Sequence, residues 1–248
     1  MIRDVTGSYR LAIQQTVNHF CSWTPELENI DNLKSEGLWN NDWDASYELL
    51  RRFVKKEGKS IVLPKRSKLI EVFNGFYFGG NQNENFSKWK GSIQNETLLV
   101  NKKFFETLSK QKIIWGFVSG AELASAKFVL ENRLSLKKPP LIAMGESPEK
   151  PDPSGLIKLA SQLAGQTLGT NVPPIGYVGD TVADVLTIKN AEKKLPLQRF
   201  ISFGVAPPHL HLKEKQSERM IYEKKLIQAG ADYILSSTFD VLEKIITW

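Results

Sequence analysis

Three short polar clusters in the chain contain the residue types that handle phosphate groups and Mg²⁺. Each cluster follows a short apolar run along the chain. The clusters are Ser119-Gly120, Lys150, and Asp180 with Asp184. In an open parallel sheet, ligands bind beyond the carboxyl ends of the strands, so residues in these positions are expected to meet at one edge.

Each cluster suits one part of phosphate chemistry. A hydroxyl at Ser119 and an accessible backbone at Gly120, at the start of a helix, make an anion site. Lys150 supplies a positive charge for a phosphoryl oxygen. Asp180 and Asp184 lie about one helical turn apart, and Mg²⁺ needs only one or two carboxylates besides phosphate and water.

Each cluster also has a structural explanation when it is taken singly. Ser-Gly is a common turn, and a lysine before Pro-Asp-Pro is often solvated. Acidic residues in a first helical turn interact favourably with the helix dipole. The order of hydroxyl, lysine and acid pair along successive strands is what favours the functional interpretation.

The second part of the chain must position these clusters, and its pattern predicts strands alternating with helices. Such alternation implies parallel pairing and a three-layer α/β sandwich. The predicted strands are Ile113–Val118, Leu141–Met144, Ile175–Val178, Phe200–Val205 and Tyr233–Leu235. The predicted helices are Asn101–Gln111, Ala121–Leu130, Ser154–Leu163, Val182–Ala191, Lys213–Gln228 and Phe239–Ile246.

The first hundred residues have a helical pattern instead. Apolar residues at helical spacing predict helices over Ser8–Phe20, Asp42–Val54 and Pro64–Tyr77, and Thr24-Pro25 predicts a capped helix start. We therefore expect a helical domain over residues 1–95 and an α/β core over 96–248.

Composition indicates an ordinary soluble globular protein, with 41% hydrophobic and 24% charged residues. The only cysteine, Cys21, cannot form an internal disulfide. No apolar run is long enough for a membrane span and no signal peptide is evident. We expect a cytoplasmic protein, or an organellar one if a targeting segment has been removed.

A cluster of basic residues between Arg51 and Lys68 could attract nucleic acid. Regularly spaced exposed aromatic residues are missing from it, so a solvated helix face is the favoured interpretation. His209 and His211 could share a metal, but no third ligand is evident.

Three of the motifs resemble those of one enzyme superfamily. VSG (118–120), EKPDP (149–153) and GYVGDTVADV (176–185) are similar to motifs II, III and IV of the haloacid dehalogenase (HAD) superfamily. The helical half resembles the α-helical cap that subfamily IA inserts after motif I.

The resemblance implies a HAD-like (Rossmannoid) three-layer core with a parallel sheet, plus an α-helical cap. It implies a Mg²⁺-dependent phosphatase that acts on a small phosphorylated metabolite through an aspartyl-phosphate. Ser119, Gly120 and Lys150 would bind phosphate, with Lys150 also catalytic. Asp180 and Asp184 would hold Mg²⁺, with Asp184 acting directly or through water.

The chain departs from the family pattern at the nucleophile, which lies in a DxD motif at the end of an N-terminal core strand. Asp4-Val5-Thr6-Gly7 is only a weak candidate, because three preceding residues are too few for a buried strand. DVTGSYRLAI (4–13) resembles an uncharacterised branch of these hydrolases in which this segment follows the DxD motif. We therefore expect motif I upstream of Met1.

Two explanations are open for this departure. The start codon is placed too late, or a short form exists that cannot perform the chemistry; intact motifs II to IV favour the first. The chain as given is expected to be inactive or severely impaired, and poorly soluble because sheet edges are unpaired. The alternative functions are a non-catalytic phosphate-ligand-binding pseudoenzyme and, less favoured, a nucleic-acid binder.

Overall fold

The computed structural model describes residues 1–36, 38–39, 41–58 and 61–245. These divide into two compact units. One unit comprises Met1–Asp4 and Leu98–Trp248, and the other is Val5–Thr97. The chain thus leaves the first unit after Asp4 and returns to it at Leu98.

The Val5–Thr97 unit is built of helices, as its pattern predicts. Apolar side chains at helical spacing, such as Ala12, Ile13 and Val17, are fully buried in it. The helices are α1 (Tyr9–Cys21), α2 (Leu27–Ser35), α3 (Asp42–Glu57) and α4 (Arg66–Phe78). The predicted cap at Thr24 is wrong: Glu26 caps α2 in a reciprocal pair with Asn29.

Helix α3 carries a buried carboxylate, Glu48, that accepts hydrogen bonds from Arg51 and Arg52 at 2.6–2.8 Å. Hydrogen bonds from Arg51, opposed by burial and helped by Arg52, lower the pKa of Glu48 from 4.5 to about 2. Arg52 also bonds Glu36, and Arg66 pairs with Asp44. Much of the predicted basic cluster is therefore neutralised; Lys59 lies outside the described residues.

The unit of Met1–Asp4 and Leu98–Trp248, called the core unit below, alternates strands and helices. Its strands are β1 (Arg3–Asp4), β2 (Thr97–Leu98, with Thr97 in the helical unit), β3 (Phe117–Val118), β4 (Leu141–Ile142), β5 (Ile175–Gly179), β6 (Phe200–Val205) and β7 (Tyr233–Leu235). Its helices are α5 (Lys102–Lys110), α6 (Leu123–Lys127, continued by a π-helix over Phe128–Arg133), α7 (Ser154–Ala164), α8 (Val182–Lys194), α9 (Gln216–Ala229) and α10 (Val241–Ile245).

The parallel sheet of this unit is in two pieces. Strand β3 pairs with β4, and β6 pairs with β5 and β7, all in parallel. Within the described residues, no strand bonds to the edge of β5 opposite β6. Strand β6 is buried throughout, whereas Gly176 in the middle of β5 is exposed. The predicted strands Ile113–Val118 and Leu141–Met144 are shortened to two residues each, because only Phe117–Leu141 and Val118–Ile142 pair between β3 and β4.

Both pieces of the sheet nevertheless share one hydrophobic core. Leu156 of α7 and Ile188 of α8 are buried at its centre. Val118 of β3 and Ile175 of β5 pack against this same cluster. The two pieces therefore lie next to each other, and their parallel strands end at neighbouring points.

Candidate active site at the carboxyl ends of β3 and β5

Lys150 and Asp184 form a buried ion pair, so the second and third sequence clusters meet as predicted. The distance from Lys150 Nζ to Asp184 Oδ1 is 2.6 Å. The Asp184 side chain is 5% exposed and that of Lys150 is 25% exposed. Lys150 is held by a loop whose Pro151 carbonyl accepts a hydrogen bond from Asn190 on α8.

The Asp184 carboxylate is surrounded by donors. Its Oδ2 accepts from the backbone N–H of Asp180 (3.2 Å), and from the N–H (3.0 Å) and hydroxyl (2.7 Å) of Thr181. Gly179 is necessary for this arrangement, because a Cβ there would lie 2.2 Å from the Cβ of Asp184. The helix start that the sequence predicted is thus a capping box between Thr181 and Asp184.

Electrostatics keep both members of the pair charged. Burial opposes the ionisation of Lys150, but the negative charge of Asp184 outweighs it and raises the pKa of Lys150 above its usual value. Burial likewise opposes ionisation of Asp184, but Lys150 and the Thr181 hydrogen bonds lower the pKa of Asp184. The site therefore presents a fixed ammonium beside a fixed carboxylate.

Tyr177 connects this pair to the other piece of the sheet, a role that the sequence analysis did not predict. Its hydroxyl lies 3.4 Å from Lys150 Nζ, 3.2 Å from Asp184 Oδ1 and 3.4 Å from the carbonyl oxygen of Val118. Burial, together with the charge of Asp184, raises the pKa of Tyr177, so the hydroxyl stays protonated. In an apolar strand pattern, a tyrosine is indistinguishable from a packing residue.

Ser119 follows Val118 and therefore lies at the end of β3, beside the point that Tyr177 reaches. Its backbone N–H bonds the carbonyl of Ile142, and its Oγ accepts from the N–H of Ala121 at 3.1 Å. Gly120 is exposed, and a Cβ there would meet nothing within 4 Å. The backbone at Gly120 is open to a ligand, although space alone does not require glycine.

Asp180 is held by its backbone and has an available side chain. Its carbonyl oxygen accepts a 2.7 Å hydrogen bond from the Tyr222 hydroxyl on α9. Burial, with the charges of Asp180 and Asp184, raises the pKa of Tyr222 and keeps this donor protonated. No hydrogen bond or ion pair from the described part of the chain reaches the Asp180 carboxylate.

The two acids differ in their fitness to hold Mg²⁺. Asp180 can offer a carboxylate oxygen directly. Asp184 is already occupied by Lys150, Thr181 and the Asp180 N–H, so it suits contact through water. One direct carboxylate is sufficient for an ion that usually keeps several waters. The described residues contain no group of three or more His, Cys, Asp or Glu side chains that could hold a metal.

Asp4, His211 and Cys21, which the sequence analysis also named, belong to other elements of the fold. Asp4 is on β1, which pairs with β2 rather than with β3 or β5. His211 Nε2 lies 2.8 Å from the carbonyl oxygen of Ala206. Cys21 is buried in α1 with its thiol 3.2 Å from the Val17 carbonyl oxygen.

Among the described residues, no helix has the length and apolar character to cross a bilayer.

Two solved structures resemble the chain over nearly all of its length. One is a phosphonoacetaldehyde hydrolase like protein from Oleispira antarctica, with a TM-score of 0.65, 16% identity, and coverage of 100% of this chain and 88% of that one. The other is a HAD-superfamily hydrolase, subfamily IA, variant 1, from Geobacter sulfurreducens, with a TM-score of 0.56, 11% identity, and coverage of 98% and 91%. They confirm the predicted α/β HAD-like fold with additional helices.

By sequence, no protein-family model matches the chain. A curated relative from Phytophthora nicotianae, named imidazoleglycerol-phosphate dehydratase, is 28% identical over 241 residues, which is 95% of this chain. The chain spans about half the length (48%) of that relative. A shared fold does not by itself establish an activity.

Proposed function

We propose that the chain carries the phosphate- and Mg²⁺-binding part of a HAD-type phosphohydrolase for a small phosphorylated metabolite. The observation that carries the proposal is the meeting of Lys150, Asp184 and the end of β3 around the Tyr177 hydroxyl. A phosphoryl group needs a cation and hydrogen-bond donors around it, and this edge offers both.

Each residue of the site has its own binding role in this proposal. Ser119 and the backbone at Gly120 hold phosphoryl oxygens, and Lys150 neutralises their charge. Asp180 would hold Mg²⁺ directly and Asp184 would hold it through water, while Asp184 also fixes Lys150. Mg²⁺ held there would supply electrostatic stabilisation of the transferring group.

The nucleophile belongs to a further strand in this proposal. Among the described residues, β3 pairs only with β4 and β5 only with β6. The Tyr177 hydroxyl of β5 lies 3.4 Å from the carbonyl oxygen of Val118 in β3, so we infer that the break in the parallel sheet lies between β3 and β5, whose carboxyl ends carry Ser119 and Asp180. A parallel strand seated there would deliver its own last side chain among the same groups. An aspartate in that position could attack phosphorus, whereas Asp4 lies on β1, outside the break.

Two features of the relatives are compatible with this proposal. Both solved structures are named as hydrolases or hydrolase-like, and the curated relative's name refers to a phosphorylated small molecule. The competing function is a phosphate-ligand-binding pseudoenzyme, which uses the same residues without turnover. The two functions share binding and differ in hydrolysis, so binding is tested first.

The binding experiment is calorimetric titration of the 248-residue chain with orthovanadate, a phosphate analogue, with and without Mg²⁺. We expect saturable binding that requires Mg²⁺, is lost in Lys150→Ala, and is at least about tenfold weaker in Asp180→Asn. The matched controls are Lys158→Ala and Glu149→Gln, which remove exposed charges on neighbouring segments. No binding by the folded chain, or equal loss in the controls, would contradict the proposed site.

A further inference from the structure

The core unit contains a cavity of about 400 Å³ at the opposite end of β3 from the candidate active site. Ser119 follows β3, whereas the cavity is lined by Trp115, which precedes it. Neither Lys150 nor Asp184 contributes to its lining. The cavity is therefore separate from the phosphate chemistry proposed above.

The wall of this cavity is apolar and well fixed. Phe105 and Leu136 line it and are only 3% and 7% exposed. The indole N–H of Trp115 donates to Ser109 Oγ at 3.0 Å, and its ring packs against Phe105 with centroids 4.9 Å apart. Trp115 itself remains half-buried, so a held indole ring is available at the cavity.

The rim of the cavity is positively charged. Lys102, Lys110 and Lys137 line it, together with one acidic residue, Glu106. Glu106 lies 3.7 Å from the ammonium of Lys102. In the described ranges, no carboxylate lies within 4 Å of Lys110 or Lys137, so two exposed ammonium groups have no counter-ion from the chain.

We propose that this cavity binds a nucleoside phosphate, with its base against Trp115 and its phosphates at Lys110 and Lys137. A flat ring gains stacking energy on an indole, and lysines act as point charges for phosphate oxygens. The cavity volume is within the range of small-molecule sites. A simple inorganic anion would use the lysines but leave the aromatic wall without a partner.

The test is calorimetric titration of the 248-residue chain with ATP in the presence of EDTA, which prevents Mg²⁺-dependent binding at the candidate active site. We expect one saturable site whose affinity falls as salt is added, because its charges are exposed. The double variant Lys110→Ala/Lys137→Ala should weaken binding at least about tenfold. Lys103→Ala/Lys158→Ala, with the same change in charge, should bind like the unmodified chain.

Two further variants separate this proposal from the proposed function. Lys150→Ala should leave ATP binding intact, and Trp115→Leu should weaken ATP binding but not the weaker binding of inorganic pyrophosphate. The proposal is overturned if ATP does not saturate, if Lys150→Ala removes binding, or if pyrophosphate binds as tightly as ATP. An intact nucleotide site with no vanadate binding would instead contradict the proposed function alone.

Discussion

Replacing Lys150 by methionine should destabilise the core unit, because it leaves the Asp184 carboxylate buried without its counter-ion. Methionine keeps most of the apolar stem and removes only the ammonium. Removing one partner of a buried ion pair costs about 3–5 kcal/mol. Lys150 is 25% exposed, and Asp184 keeps the donors of Thr181, Tyr177 and the Asp180 backbone. We therefore expect a smaller loss than that range, of about 2–3 kcal/mol.

The assay is urea unfolding at pH 7, followed by circular dichroism, with thermal unfolding as a second measurement. A loss of this size lowers the Tm by about 4–12 °C. Lys158→Met, at an exposed lysine of α7, is the control and should stay within about 0.5 kcal/mol of the unmodified chain. The double variant Lys150→Met/Asp184→Asn should recover at least half of the loss, because no uncompensated charge remains. The reasoning is refuted if Lys150→Met is as stable as the control.

The remaining predictions concern the two units separately. Glu48 has its pKa lowered from 4.5 to about 2, so its contribution to the stability of the helical unit is full above pH 4.5 and is lost as the pH falls towards 2. Its arginine partners are about half exposed, so we discount its contribution to the free energy of unfolding to roughly 1–2 kcal/mol. Glu48→Gln should make the loss of stability on acidification less steep, and a stability-versus-pH profile equal to that of the unmodified chain would disprove this. Gly179→Ala should displace Asp184 and abolish Mg²⁺-dependent vanadate binding, whereas Gly169→Ala, at a position with open space, should not. The same vanadate affinity in both variants would contradict the packing argument. Tyr177→Phe should keep the ring but weaken vanadate binding several-fold in calorimetry, because Lys150 loses one of its two fixed partners; unchanged affinity would remove Tyr177 from the site.

Sequence reasoning identified the clusters that meet, because their position after successive apolar runs is a property of parallel sheets. Strand β6 was predicted with its observed bounds, since a mainly apolar run is typical of a strand buried on both faces. The meeting of Lys150 with Asp184 follows from the same rule. The roles of Ser119 and Asp180 as ligands of phosphate and Mg²⁺ remain predictions.

Other features could not be predicted because they depend on which groups become neighbours in space. The Tyr177 hydroxyl joins three segments that are far apart in sequence. The sequence left open whether Asp184 would contact Mg²⁺ directly or through water. The ion pair with Lys150 and the capping box occupy its carboxylate, which favours contact through water. The shortening of β3 relative to Ile113–Val118 was not predictable from propensity, because it depends on which residues pair, and only Phe117 and Val118 pair with β4.

The central claim is that this edge of the sheet performs phosphoryl chemistry once a strand with a carboxylate completes it. The most direct measurement is Mg²⁺-dependent hydrolysis of an aryl phosphate by two forms of the protein. One form is the 248-residue chain, and the other is extended at its N terminus by translation of the reading frame upstream of Met1. The account predicts hydrolysis only in the extended form, lost in Asp180→Asn and kept in Glu149→Gln. Hydrolysis by the 248-residue chain itself, or hydrolysis that survives Asp180→Asn, would contradict it.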